Sequence, residues 1–411
     1  MSNNKEIFIN GPVNYIKIYN KEKNKRVIIL MDYHVPIDKQ KKCEEYDAKD
    51  VNMYIYNELK ETKVPLDFFL EIVPSEINNM NKYYSNDNYI TETKKIFKKI
   101  YAENQSKPNS NIRLHFIDVR DYGYIYDITN IVDEIISILK SNKLDNILFI
   151  IEKLKKINLI LELVNNYIEL TLHSKINYES IDLINITLKK NNDSKDYSLD
   201  KILTFGFAEL LDKILNKYTN KELKNNITKY FKENYIKLSE KLVLYIKDLI
   251  KIVSDIYISL DKSHIQQDLI VKDIVLNNKL ELKSKYIGYG IDFFEYDKQW
   301  ENILNETNKL QLIIIKMGSV FMDCFFLRRL LEKDQIKKSI VYTGLTHSVM
   351  YIWFLVKFYD YSIEDYYYIS KDKLDKNSIK DLEKKIKKSD SPFDIFEFLV
   401  PPKLTQCVKI N

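Results

Sequence analysis

Residues 26–34, RVIILMDYH, determine which fold class this chain adopts. Their central residues form an unbroken apolar run rich in β-branched side chains, which is typical of a strand buried on both faces of a sheet. The preceding segment, EIFINGPVNYIKIY at 6–19, alternates apolar and polar residues, and KEKNK at 21–25 is a polar turn. The pattern predicts a hairpin of residues 6–18 and 26–34.

Three more short apolar runs predict further strands. They are PLDFFLEIV at 65–73, NIRLHFIDVRD at 111–121 and SIVYTGLTH at 339–347. Helix-length segments separate the runs in the first part of the chain, and SVMYIWFLVKFY at 348–359 predicts a helix directly after the last run. Strands that alternate with helices form βαβ units. The predicted fold class is therefore α/β, with a mainly parallel sheet and flanking helices.

The middle of the chain has a different pattern. Between residues 125 and 310, apolar residues recur at helical spacing, as in KLVLYIKDLIKIVSDIYISL at 241–260. This pattern predicts a large all-helical insertion that interrupts the sheet. We expect the N-terminal half of the α/β core at 1–124, the helical insertion at 125–310 and the C-terminal half of the core at 311–411. A protein partner would bind through the helical middle.

Composition and charge exclude several classes of protein. The 411 residues include only 7 Gly and 8 Pro, which rules out collagen-like and Pro/Gly-rich disordered chains. The formal net charge of +5 is small for this length. Nucleic-acid binding through lysine-rich helices is therefore the weakest of the functional hypotheses.

The cysteines and the N-terminus predict an intracellular protein. Cys43, Cys324 and Cys407 are too few and too scattered to indicate a disulfide scaffold or a Cys-based zinc site, so we expect a reducing compartment and an exposed thiol at Cys43. The first residues lack the apolar region of a signal peptide, and the apolar run at 349–356 is far shorter than the ~20 residues of a membrane span. We expect no membrane partner.

Polar residues fall at the carboxyl ends of the predicted strands. They are His34, Glu71, Asp118 with Arg120, and His347. Ligands of open α/β sheets bind at this edge, so parallel neighbours would bring these side chains into one crevice. Two imidazoles and a carboxylate can bind Zn, Mn, Co or Fe, which makes His34, Glu71 and His347 the candidate metal ligands. Glu71, Asp118 and Arg120 are the candidate catalytic residues, as bases for a bound water and as an oxyanion stabiliser.

Four further residues are candidates for supporting these side chains. Asp32 lies two residues before His34, and Asp323 and Arg328 lie in MGSVFMDCFFLRRLLEK at 317–333. Arg328 and the adjacent Arg329 either clamp an anionic group or belong to a charge cluster at a helix C-terminus. His115 faces the opposite side of its strand from Asp118, so packing is the alternative to a supporting role.

Structural roles are the alternative for each of these residues. A histidine at a strand end is often a packed side chain, and Asp-x-Arg at a strand end is often a salt bridge. The sequence contains no Walker A loop, no GxSxG and no HExxH. The ordered set of polar strand ends is therefore the main indication of a site.

The motifs resemble those of the superfamily of erythromycin esterase-like, ChaN-like and TraB/TIKI-like proteins. In that superfamily a GxxH strand end lies near the start, a strand ending in Glu and an Arg-bearing segment follow, and a second GxxH comes late. GLTH at 344–347 matches the second motif, and Glu71 and Arg120 match the intervening positions. LMDYH at 30–34 matches the first motif in its histidine alone, with Met31 in place of glycine.

The chain is also similar to uncharacterised proteins of giant DNA viruses of protists. The shared segments are GPVN (11–14), MDYH (31–34), RLHFIDVR (113–120), MDCFFLRR (322–329) and YTGLTH (342–347). The superfamily resemblance implies a metal-dependent, peptidase-like or esterase-like hydrolase with a peptide or ester substrate. The alternative is a catalytically inactive interaction protein or virion-associated protein of the same fold. The viral resemblance implies a location in the host cytoplasm or the virion.

Overall fold

The computed structural model describes residues 6–73, 88–105, 111–120, 124–141, 147–172, 205–264, 293–374 and 379–410. The chain forms two compact units. The first unit comprises Met1–Val119, Thr219–Asn226 and Met322–Asn411, and the second comprises Arg120–Tyr218 and Ile227–Phe321.

A six-stranded sheet forms the centre of the first unit. In chain order its strands are β2 Asn14–Asn20, β3 Lys25–Asp32, β5 Leu66–Leu70, β6 Ile112–Phe116, β7 Lys338–Gly344 and β8 Ser362–Tyr366. Their spatial order is β6-β5-β7-β3-β2-β8. Each apolar run that predicted a strand therefore contributes one, and β2 and β3 form the predicted hairpin.

The sheet contains both parallel and antiparallel strand pairs. β6, β5, β7 and β3 run parallel to one another, whereas β2, near one edge, pairs antiparallel with both β3 and β8. The antiparallel edge arises because the hairpin turn at the start of the chain returns directly to the neighbouring strand, which a parallel pair cannot do. The α/β class is confirmed, but the prediction of a mainly parallel sheet is not.

A second, three-stranded sheet joins the two ends of the chain. Its order is β4-β1-β9, with β1 at Ile7–Asn10, β4 at Lys49–Asp50 and β9 at Cys407–Ile410. The predicted first strand is divided after β1, where Gly11 has φ 120°. A Cβ at Gly11 would lie 2.8 Å from Val51 Cγ1, so the chain turns where only glycine is accommodated.

Helices cover both faces of the main sheet. One face packs Ile28, Phe68 and Tyr342 in a core shared with helices α1 (Val51–Glu61) and α2 (Tyr89–Gln105). On the other face, Phe69 meets Phe326 edge-on, with ring centroids 5.0 Å apart. The cover on both faces explains why the strands are apolar along their whole length.

The second unit contains only helices within its described residues. Within the described residues, the remaining α-helices are α3 Ile125–Ser141, α4 Ile147–Leu172, α5 Phe205–Leu215, α6 Lys221–Phe231 with a π-helical turn at Lys232–Ile236, α7 Lys237–His264, α8 Phe293–Leu331, α9 Leu345–Tyr359, α10 Ile379–Lys388 and α11 Phe396–Leu399. The last part of α8, from Met322, belongs to the first unit, as do the start of α6 and α9 to α11.

One stretch of α8 has the length and apolar composition of a membrane span. It is Trp300–Leu331, the only such helix among the described residues. Of its most apolar window, 67% is buried inside the protein. Burial of this kind is what the core helix of a soluble protein shows.

Two boundaries differ from the predictions. The first helix-length segment is helical only from Val51, because most of the residues between β3 and Val51 form a loop. Strand β7 ends at Gly344, and α9 begins at Leu345, so His347 lies in the first turn of a helix. Because the strand and the helix that follows it are both apolar, the sequence pattern does not show where one ends and the other begins.

A buried lysine caps the C-terminal end of α8. The Lys25 ammonium is 1% exposed and donates hydrogen bonds to the backbone carbonyls of Leu330 and Lys333. Burial lowers the pKa of Lys25 to about 8. Its cation lies where the helix has carbonyl groups without intrahelical partners.

Lys25→Ala is expected to lower the free energy of unfolding by about 1–3 kcal/mol, because it leaves buried carbonyls unsatisfied. Urea unfolding measures this, with exposed Lys21→Ala as the control, for which we expect a change within ~0.5 kcal/mol. The folded pKa lies below the unfolded value of roughly 10.4, so the contribution of Lys25 to stability rises between pH 8 and that value. Equal stability of the two variants would contradict the capping role.

Candidate functional site

His34 is held at the carboxyl end of β3 by Asp32. The backbone N–H and ring Nδ1 of His34 each lie 2.7 Å from Asp32 Oδ2. Asp32 is buried, and its other oxygen accepts a 2.6 Å hydrogen bond from the Tyr342 hydroxyl. His34 has φ 52°, a left-handed conformation that is uncommon for non-glycine residues and recurs at functional sites. These contacts direct Nε2 of His34 towards Glu71.

Glu71 follows β5 and lies between the two candidate histidines. Its Oε2 accepts a 2.8 Å hydrogen bond from the backbone N–H of Gly344 and lies 3.6 Å from His34 Nε2. Burial by itself would raise the pKa of Glu71. The nearby imidazoles of His34 and His347 and the hydrogen bond from the Gly344 N–H together hold that pKa well below its usual range. Glu71 is therefore an ionised carboxylate.

His347 mirrors the arrangement of His34. Its Nδ1 lies 2.7 Å from Asp323 Oδ1 on α8, and its Nε2 lies 4.0 Å from Glu71 Oε1. Asp323 and His347 are both buried. Each histidine is thus anchored by an aspartate at Nδ1 and presents Nε2 to a different oxygen of the same carboxylate.

The two Nε2–oxygen separations exceed the usual range of a direct hydrogen bond, whereas both Nδ1–oxygen contacts fall within it. Burial lowers the pKa of His34, but the adjacent carboxylates of Asp32 and Glu71 outweigh that effect and raise the pKa to about 10. Its imidazole carries a proton at neutral pH in this environment, and a cation bound at Nε2 would displace that proton.

The donor chemistry of the cluster fits a divalent cation. Histidine ligands of metals nearly always donate the second ring N–H to a carboxylate or carbonyl. Asp32 and Asp323 are such carboxylates for Nδ1 of His34 and His347. The nitrogen and oxygen donors are farther apart than in a compact metal site. In the part of the chain that the structure describes, three such donor atoms all lie within 4.8 Å of one another only at Cys43, Glu45 and Cys407.

The other predicted catalytic residues lie outside these described contacts. Asp118 is buried and follows β6 at the same edge of the sheet, where the N–H of Ile117 donates to the carbonyl of Leu70. Arg120 belongs to the second unit, in which its Cδ would lie 3.3 Å from a Cβ at Gly318. The catalytic roles of Asp118 and Arg120 stay predictions.

His115 lies in a different cluster from His34 and His347. Its Nδ1 accepts a 3.0 Å hydrogen bond from Arg329, its Nε2 lies 3.2 Å from Asp67 Oδ1, and its ring stacks on Phe69. Arg113 also contacts Asp67, with two hydrogen bonds of 2.6 Å. These contacts support packing, the alternative to a supporting role for His115, and its strand parity explains why.

The arginine pair at the end of α8 divides its roles. Arg329 contacts His115, whereas Arg328, the predicted anion clamp, is partly buried in the last turn of the helix. Burial lowers the pKa of His115, and although Asp67 opposes this, the nearby Arg329 and Arg113 lower it further. The cluster is a buried ion-pair network in which His115 is neutral.

The prediction of an exposed thiol at Cys43 is wrong. Cys43 is disulfide-bonded to Cys407, with a Cα–Cα distance of 5.0 Å across a sequence separation of 364 residues. The small sheet brings both ends of the chain together, which the spacing of the cysteines does not show. Cys324 is buried and free.

Two contributors to the site were not among the predicted residues. Tyr342 orients Asp32, and the backbone N–H of Gly344 binds Glu71. Both lie in YTGLTH, the segment that contains His347. The signal was therefore present in the sequence, but only the histidine of this segment was used as a candidate.

A family model covers residues 7–411, almost the whole chain. The chain belongs to DUF5847, a family of unknown function. It is 28% identical over 438 residues to "Uncharacterized protein R706" of Acanthamoeba polyphaga mimivirus. This alignment covers 98% of the present chain and 95% of that protein. "Uncharacterized protein R161" of the same virus is 27% identical over 394 residues, 86% of this chain and 87% of the relative.

A shorter mimivirus relative, "Uncharacterized protein R129", is 35% identical over 158 residues, 34% of this chain and 90% of that protein. No solved structure matches the chain. The predicted similarity to uncharacterised giant-virus proteins is thus confirmed for this DUF5847 chain.

Proposed function

We propose that this chain is a hydrolase of peptide or ester bonds whose site is the cluster of His34, Glu71 and His347, with a divalent cation as cofactor. The observation that supports this function is the convergence of two aspartate-anchored imidazoles on one carboxylate. In a structural ion pair, one partner for each charge is enough. Here the aspartates already fix both imidazoles, and both Nε2 atoms are in addition directed at Glu71.

The aspartates determine which ring nitrogen of each histidine is available. Asp32 and Asp323 hold a proton at Nδ1, so that Nε2 is the atom that can bind a cation or exchange a proton with water or substrate. The cation would be held by His34, Glu71 and His347 and would polarise a carbonyl oxygen and lower the pKa of a bound water. Mn, Zn, Co and Fe all suit imidazole and carboxylate ligands.

Glu71 has two tasks in this proposal. Its Oε2 is fixed by the Gly344 N–H, and its ionised form provides negative charge between the imidazoles. Asp118, buried at the same sheet edge, is the proposed additional base, and Arg120 is the proposed stabiliser of developing negative charge. The order His, Glu, Arg and GxxH along the chain resembles the erythromycin esterase-like superfamily, which supports hydrolysis as the reaction class.

The metal content of the purified chain tests the cofactor. The wild-type protein and His347→Ala are dialysed against traces of Mn, Zn, Co and Fe without reductant, so that the Cys43–Cys407 disulfide stays closed, and are analysed by elemental mass spectrometry. We expect close to one equivalent of metal in the wild type and its loss in His347→Ala, since one of three ligands is removed. His115→Ala, the same substitution outside the cluster, is the matched control and should keep the metal.

A screen of chromogenic esters and fluorogenic peptides follows with the same proteins. Hydrolysis that His347→Ala abolishes and His115→Ala retains supports the proposed reaction. Absence of metal from all three proteins would contradict the metal-dependent form. Absence of both metal and hydrolysis, with folding intact, would favour the catalytically inactive interaction protein.

A further inference from the structure

We propose that Cys43, Glu45 and Cys407 form a redox-dependent zinc site, in which the two cysteines are a disulfide in the oxidised chain and thiolate ligands of Zn²⁺ in the reduced chain. The sulfur atoms and a carboxylate oxygen of Glu45 all lie within 4.8 Å of one another. The cluster belongs to the first unit, and none of its members contacts the His34, Glu71 and His347 cluster in the described hydrogen bonds and ion pairs. The site is therefore independent of the proposed hydrolase function.

The two cysteines are held together by the backbone and not by their sulfur–sulfur bond alone. Cys407 lies opposite Asn10 in the antiparallel register of β9 and β1. The side chain of the same Asn10 accepts a 2.8 Å hydrogen bond from the backbone N–H of Cys43 and donates one of 3.1 Å to Asp50. Asn10 is 7% exposed, so water competes little for these bonds.

Gly11, which follows β1, adds a further restraint on Cys407. Its N–H donates a 3.0 Å hydrogen bond to the carbonyl of the preceding residue, Gln406. Reduction of the disulfide breaks none of these bonds. The two sulfur atoms are then expected to stay close together, and a pair of thiols that cannot separate is a preorganised ligand set for a thiophilic cation. Glu45 provides the third ligand, and a water molecule would complete the tetrahedral set.

The site is accessible to reductants and to metal. Cys43 and Cys407 are partly exposed, and Glu45 is fully at the surface. A dithiol reductant supplies two electrons and two protons, breaks the S–S bond and leaves as its own disulfide. Zn²⁺ then replaces both thiol protons, which pass to solvent, and two Zn–S bonds form. Two thiolates and one carboxylate favour Zn²⁺ over Ca²⁺ or Mg²⁺, which bind oxygen ligands.

Cobalt provides a direct probe, because a thiolate-to-Co²⁺ charge-transfer band in the near ultraviolet arises only from sulfur ligation. The wild-type chain is reduced with dithiothreitol, desalted anaerobically and titrated with Co²⁺ beside the oxidised chain. We expect one equivalent of Co²⁺ with the thiolate band in the reduced chain, displaced by Zn²⁺, and no band in the oxidised chain. Comparing two redox states of the wild type makes the result independent of whether any variant folds.

Variants assign the ligands and separate this site from the histidine cluster. Cys43→Ser is expected to abolish the band, Cys324→Ser is the matched control that keeps it, and His347→Ala should also keep it. Glu45→Gln is expected to weaken Co²⁺ binding by at least the roughly 10-fold that loss of even an outer-shell partner costs. No thiolate band in the reduced wild type, or a band that persists in Cys43→Ser, would overturn the proposal.

Discussion

Glu71→Gln is expected to lower the kcat/KM for hydrolysis by about 10²–10⁴-fold, the range that positioned acid–base groups contribute. Glutamine keeps the shape of the side chain and an oxygen that can accept from the Gly344 N–H. It removes the negative charge between His34 and His347, which lie 3.6 and 4.0 Å from the two carboxylate oxygens. Neither a bound cation nor a protonated imidazole is then balanced at this position.

The measurement is the hydrolysis of whichever chromogenic ester or fluorogenic peptide the wild type cleaves, at a temperature well below the unfolding midpoint of each variant. Glu58→Gln is the matched control, because Glu58 is a carboxylate of the same unit that pairs with Lys338 at 2.6 Å away from the cluster. We expect Glu58→Gln to leave hydrolysis unchanged. A folded Glu71→Gln variant with wild-type activity would show that the cluster is a structural ion-pair network.

Gly344→Ala is expected to lower hydrolysis by on the order of 10²-fold, the effect of a displacement of about 1 Å in a catalytic group. A Cβ at position 344 would lie 2.9 Å from His34 Nε2 and 3.4 Å from Glu71 Oε2. The backbone of Gly344 has φ −58°, which alanine adopts without strain. The ring of His34 is 42% exposed and can turn away, so it is the part that moves.

This substitution separates stability from the geometry of the site. We expect the melting temperature of Gly344→Ala to change little, because the added methyl group displaces a partly exposed ring and not the core. Gly318→Ala is the contrasting variant, since its Cβ would lie 2.9 Å from Ile125 Cγ2 within the second unit. That change is expected to lower the melting temperature, because the added methyl group meets the packed side chain of Ile125. Retained activity in Gly344→Ala would mean that the contact of His34 with Glu71 is not required.

The position of Gly344 also explains the glycine of the GLTH motif in physical terms. A side chain at this residue would occupy the space between His34 and Glu71, and the N–H at this residue is a donor to Glu71. At the first motif the corresponding residue, Met31, is a fully buried strand residue of β3. Asp32, not Met31, lies opposite Gly344 in the register of β3 and β7. The missing first glycine is therefore compatible with the geometry of the cluster.

The sequence by itself determined the α/β class and the edge of the sheet at which polar residues gather. The apolar runs within 26–34, 65–73 and 339–347 indicated strands buried on both faces. A strand that is covered on both faces needs apolar residues along its length, and this can be seen in the sequence of the strand alone. His34 and Glu71 follow β3 and β5, which both pair in parallel with β7, and the two side chains therefore meet at one edge of the sheet. His347 meets them from the first turn of α9 because the chain passes directly from β7 into that helix.

Only the tertiary structure decided which residues are partners. The anchoring of His347 by Asp323, the hydrogen bond from Tyr342 to Asp32 and the pairing of Cys43 with Cys407 join residues on separate elements, with sequence separations of 24, 310 and 364. Strand order and register set these contacts, and they depend on which buried faces pack together across the whole chain. A local pattern of residue types shows that a side chain is polar and where its strand ends, but the pairing energy arises between distant segments.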